Sequence, residues 1–128
     1  MKLSLNVLRI FAKDWQASAD FYEQVLELPL QFRDEVMGWA QFDAGGTSLA
    51  VERVAPGDAE GEALSGRFVG ASLHTADIEA AYQSLCERGV KFVSAPERQP
   101  WGGMLAHFED PAGNVLTLLG DPEGGVDG

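Results

Sequence analysis

A chain of 128 residues, 45% of them hydrophobic, is long enough to bury one sizeable core and contains no apolar run near the ~20 residues that a membrane helix requires. Its formal net charge of −11 removes the basic face that nucleic-acid phosphates need. The single cysteine, Cys86, excludes an internal disulfide and accords with a reducing cytoplasm.

Residues 3–12, LSLNVLRIFA, alternate in polarity and predict a strand, and residues 1–12 show no apolar core or cleavage site of a signal peptide. Asp14 stands where a helix N-cap belongs. Ser18, Phe21, Tyr22, Val25 and Leu26 follow at spacings of three and four, the buried face of an amphipathic helix, and Pro29 stops it. Three short strands are predicted near 30–34, 38–43 and 47–54, with Gly45-Gly46 turning between the last two. Residues 55–66, APGDAEGEALSG, lack an apolar period and predict a mobile loop. Their acids, Asp58, Glu60 and Glu62, together with Asp121, Glu123 and Asp127, account for more than half of the negative excess. Placed in a linker and a tail, these charges serve solubility better than they trap a cationic ligand.

The second half repeats the plan. Residues 67–76 predict a strand and Asp77 a cap; Ile78, Ala81, Tyr82 and Leu85 predict a buried helix face, and Gly89 a left-handed stop. A strand over 90–95 precedes two more around Asp-Pro-Ala-Gly-Asn (110–114), where Pro111 fixes φ, Gly113 accepts a positive φ, and Asp110 and Asn114 can bond nearby backbone. The organisation is therefore α+β: a first βαβββ module over 1–54, an acidic linker over 55–66, a second module over 67–120 and a disordered tail over 121–128, one structural domain in all.

The DPAGN hairpin and the run DWQASADFY (14–22) resemble signatures of the vicinal oxygen chelate superfamily, which includes glyoxalase I, extradiol dioxygenases and bleomycin resistance proteins. The resemblance implies curved mixed sheets arranged around a cavity, with modules paired within the chain or by exchange between subunits. It also implies metal ligands on the first and last strands of each module. Counting from the two cap aspartates and the DPAGN turn places those positions at Val7, Ala50, Gly70 and Thr117, none of which suits a catalytic metal. Glu52 is the one potential ligand near these positions, close to Ala50, and a displaced site would need His74 and His107 with Glu52 or Glu109.

The expectation is accordingly a metal-free binding protein with no cofactor and no catalytic residue, similar to antibiotic-binding members and forming a homodimer. Val7, Arg9, Phe11, Trp39, Gln41, Ser72, His74, Trp101, Met104 and Thr117 are the candidate ligand-binding residues. Aromatic and aliphatic walls with Arg9 and His74 as polar handles suit a flat, partly apolar ligand carrying an acceptor or an anionic group. The same side chains could instead fill the space as core. The alternative activity is a glyoxalase-like lyase or a dioxygenase with a displaced metal.

Overall fold

The computed structural model describes residues 1–122. It divides the chain into two compact units: residues 1–67 with 111–114, and residues 68–110 with the chain from 115 onward.

In the first unit, strand β1 (Val7–Ala12) leads into helix α1 (Trp15–Asp20), which continues as a π-helical turn over Phe21–Val25. Strands β2 (Leu30–Asp34), β3 (Trp39–Asp43) and β4 (Ser48–Arg53) follow. The sheet order is β1-β4-β3-β2, with β1 and β4 parallel and the other pairs antiparallel. Asp14 caps α1 as expected, its Oδ1 accepting the Ala17 N–H at 3.3 Å. Trp15, Ala19, Phe21 and Tyr22 are buried, while Val25 and Leu26 are only half-buried. The π-helical turn adds a residue to its hydrogen-bonded ring and so rotates the following side chains away from the face that a regular 3.6-residue period predicts. The helix covers one side of the sheet: Tyr22 packs on Phe42, and the Trp15 indole donates to the Val51 carbonyl at 2.9 Å. Arg33 and Arg53 both lie over the Trp15 ring, and Arg33 also pairs with Asp20 and Glu23. Burial works to lower the Arg33 pKa, but the hydrogen bonds and attraction of those two carboxylates outweigh it and leave the pKa raised.

Residues 55–66 differ from expectation, because helix α2 (Ala59–Leu64) occupies the segment. Its Ala, Glu and Leu residues favour helix, and Glu60 and Glu62 sit in the first turn, where the helix dipole favours negative charge. Lys13 pairs with Glu62 at 3.2 Å, and Ser65 bridges to Phe11. The first strand is also shorter than predicted, since its ladder with β4 runs only from Val7 to Ala12.

The second unit contains β5 (Phe68–Thr75), α3 (Ile78–Glu87), β6 (Lys91–Phe92), β7 (Glu97–Arg98), β8 (Met104–Glu109) and β9 (Val115–Gly120). Its sheet runs β5-β9-β8-β6, with β7 also on β8. The strand predicted over 90–95 is thus reduced to β6, and β7, beyond it, adds a second short piece on the same partner. Asp77 caps α3 through the Ala80 N–H at 3.1 Å. Tyr82 of α3 meets Phe92 edge-on, and Phe92 packs on Phe108, so the helix covers the face carrying Phe92, Ala106, Phe108, Leu116 and Leu118. Among the described residues no helix is long and apolar enough to cross a membrane. Of the predicted tail, residues 123–128 lie outside the described residues.

The turn at 111–114 belongs to the first unit although the strands flanking it belong to the second. Asn114, fully buried, explains the membership. Its Oδ1 accepts the N–H groups of Gly66 (2.8 Å) and Arg67 (3.2 Å), and its Nδ2 donates to the Phe11 carbonyl at 2.8 Å. Asn114→Ala would leave three backbone groups unpaired where water is excluded. It is expected to lower the unfolding free energy by about 2–4 kcal/mol, read from the urea midpoint at unchanged slope.

Candidate functional site

Strand alternation sorts each sheet into a helix-covered face and a helix-free face. On the first sheet the helix-free face is fixed by three pairings: Arg9 opposite Ala50, Phe11 opposite Glu52, and Gln41 opposite Ala50 from the other side. Val7, Arg9, Phe11, Trp39 and Gln41, five of the predicted residues, therefore share one surface. The Arg9 guanidinium pairs with Glu52 at 3.1 Å and lies 5.5 Å from the centre of the Phe11 ring. Both partners of that ion pair are partly exposed, so it contributes no more than about 1 kcal/mol and opens at little cost.

A chain of polar contacts runs beside this pair. The Trp39 indole donates to Gln41 Oε1 at 3.0 Å, and Gln41 Nε2 donates to Gln31 Oε1 at 2.9 Å. Ser48 Oγ donates to the same Gln31 oxygen at 2.8 Å. Gln31 and Ser48 escape the sequence reading. Gln31 sits at a register shift between Leu30 and Phe32, which turns it onto the face that simple alternation would deny it. Ser48 could have been found by continuing the alternation back from Ala50.

On the second sheet Ser72, Thr117 and His107 form a row across three strands, because Ser72 and His107 both pair with Thr117. His107 Nδ1 is 2.8 Å from Thr117 Oγ1, and the Phe68 ring meets the imidazole edge-on at 5.9 Å. His107, whose face the sequence left open, thereby falls among the candidates. His74 lies on the same side as Ser72, and its Nε2 is 2.9 Å from Asp121 Oδ1. Met104 is placed elsewhere. It pairs with Gly120, is buried, and alternates with Ala106 and Phe108 on the helix-covered face. Trp101 is 61% exposed in the loop before β8, with its ring laid so closely over Gly103 that any side chain there would have to displace it.

The residues at the four metal positions do not fit a divalent ion. Val7 and Ala50 offer hydrocarbon, and the Thr117 hydroxyl is engaged with His107. Gly70 has no donor and adopts φ +82°, within a shift that gives β5 two extra residues between the pairings of Phe68 and Ser72. A ligating side chain at that backbone geometry would be strained. Among the described residues, no group of three His, Cys, Asp or Glu side chains could hold a metal.

Two βαβββ units, each with a sheet covered by helix on one side, define the glyoxalase-like fold. The model of the Glyoxalase/Bleomycin resistance protein/Dioxygenase superfamily matches residues 4–118, and the chain belongs to that superfamily. The uncharacterized protein YraH of Bacillus subtilis (strain 168) is 31% identical over 126 residues, 91% of this chain and 97% of YraH. A crystal structure of a superfamily member from Sphaerobacter thermophilus DSM 20745 is 31% identical with a TM-score of 0.81, over 94% of this chain and 99% of that one. TnmS3, an antibiotic binding protein from Streptomyces sp. CB03234, is 30% identical with a TM-score of 0.76, over 94% and 98% of the two chains.

The placement of Met104 has a measurable consequence. Met104→Ala is expected to lower stability by about 2–4 kcal/mol through lost burial, seen as a fall in thermal midpoint. The affinity for any ligand held on the helix-free faces should stay unchanged in the same variant.

Proposed function

We propose that this chain binds a flat, partly aromatic small molecule without a metal or other cofactor and holds it without converting it. The observation that carries this reading is the furnishing of the helix-free faces. Where metal-dependent members need ligands, this chain has Val7, Ala50, Gly70 and a hydroxyl already bonded to His107. The helix-free face of the first sheet offers Phe11 and Trp39 as ring contacts with Arg9 and Gln41 to orient a ligand; that of the second sheet, taken by itself, offers Phe68 with Ser72, His74 and His107. Aromatic surface with few polar anchors is the usual make-up of a small-molecule site. TnmS3 adds support as a relative described as antibiotic binding. Arg9 is the principal anchor: its ion pair with Glu52 is inexpensive to exchange, so a carbonyl or phenolate oxygen can take the guanidinium in its place.

The protein acts in this reading as a cytoplasmic homodimer, in which a second copy covers the outer edge of β2, the end of the first sheet with no further strand beside it among the described residues. Native mass spectrometry of protein purified without chelator should give a dimer with no bound metal. One metal per chain would overturn the metal-free reading, and a monomer would overturn the assembly.

The anchor is tested with a neutral planar probe bearing one carbonyl, 7-methoxy-4-methylcoumarin. Arg9→Ala should weaken its binding about tenfold, the worth of one hydrogen bond from a charged donor, with an unaltered circular dichroism spectrum. Equal affinity for the probe in calorimetry would remove Arg9 from the site.

A further inference from the structure

The helix-free face of the first sheet differs in chemistry from end to end. At the Glu52 end of β4 stand Arg9, Phe11 and Trp39; at the Ser48 end, about 13 Å away at the rise of a β-strand, amides, hydroxyls and one carboxylate stand beside Val7. There the surface opens into a cleft of about 390 Å³, lined by Ser4, Asn6, Gln31, Asp43, Thr47 and Ser48, with Leu5 as its one large apolar residue. The cleft has a defined frame. Thr47 Oγ1 donates to the Leu5 carbonyl at 3.0 Å, Ser48 N–H donates to the Asn6 carbonyl at 3.4 Å, and Asp43 pairs with Ser48 across the strands.

Its polar groups are only partly used. The Gln31 oxygen accepts from both Ser48 and Gln41, while the Gln31 NH₂ has no acceptor among the described residues. Asp43 commits Oδ1 to the Gly45 N–H at 2.9 Å and retains Oδ2. The Asn6 amide, with both donors and an acceptor, has no side-chain partner among the described residues. The cleft thus presents donors and acceptors close together and carries one half-committed carboxylate as its only charge. That carboxylate, in a chain of net charge −11, disfavours phosphate or carboxylate ligands. A single partly engaged acid is also a poor counter-ion for a cation. Groups that both donate and accept at every position match the lining best, and hydroxyls have that property.

We infer that this cleft is a subsite for an uncharged polyhydroxylated group, a sugar, carried by the same molecule whose ring occupies the Arg9–Trp39 end. The inference rests on the small-molecule reading above and names its ligand class: a glycosylated planar aromatic.

The test compares 7-methoxy-4-methylcoumarin with the 4-methylcoumarin-7-yl β-glucoside, β-galactoside and N-acetyl-β-glucosaminide by calorimetry on the full chain. A 7-oxyacetamide of the same coumarin serves as a non-sugar polar control. At least one glycoside should bind tenfold or more tightly than the methoxy compound. Asn6→Ala and Asp43→Asn, the latter keeping an acceptor for the Gly45 turn, should each return that glycoside most of the way to the methoxy level without altering methoxy affinity.

Equal binding of all glycosides and the methoxy compound overturns the sugar subsite and leaves ring binding standing. A gain that survives both substitutions places the sugar elsewhere and overturns the assignment. Tighter binding of the acetamide than of every glycoside overturns it in favour of an amide-bearing ligand. Binding of none of the compounds overturns the subsite and the ring-binding reading together.

Discussion

The side chain of Asn114 is the constraint on which the rest of the architecture turns. One amide satisfies two N–H groups at the entry to β5 and one carbonyl at the end of β1, all without water. Gly113, at φ +86°, lets the chain reverse tightly enough to present that amide. The residues around the turn are therefore fixed by a polar interaction rather than by apolar packing. An unpaired buried amide would cost more than the net value of the bonds it makes.

With the strand ends held, alternation does the remaining work. In both sheets the helix buries every second residue, Leu49 and Val51 in the first and Leu116 and Leu118 in the second, and the intervening residues go to the other face. A slip of one residue would exchange the two sets completely. The faces that carry Arg9, Glu52 and Trp39, or Ser72, Thr117 and His107, are consequences of the same register that builds the core. The candidate site and the core are not separable at these strands, although they reside in different side chains.

The four positions where the resemblance expects metal ligands are occupied by residues that do not fit one. Where donors would stand, the chain has hydrocarbon at Val7 and Ala50, a bulged glycine at Gly70 and a hydroxyl at Thr117 that serves His107. The face is left with weak, exchangeable contacts such as the exposed Arg9–Glu52 pair. In the proposed reading such contacts hold a ligand in place, and they supply none of the strong Lewis acidity of a metal.

Much of this was legible from local chemistry. Asp14 and Asp77 as caps, the DPAGN turn, the βαβββ order and the shared face of Val7, Arg9 and Phe11 all follow from backbone preferences and a period of two, which operate over a few residues. Features that depend on a partner strand or a packed neighbour were not legible. The shift at Leu30/Phe32 brings Gln31 to the polar row, and the one at Gly70 moves the pairing of β5. Met104 belongs to the helix-covered face and His107 to the other, a choice made only by pairing with Gly120 and Thr117. Residues 59–64 become helix beside Lys13 although they carry no apolar period to announce one. The sequence by itself determined where the chain turns, caps and alternates; the tertiary structure decided which face each alternating set occupies, because register is a property of two strands and is written in neither alone.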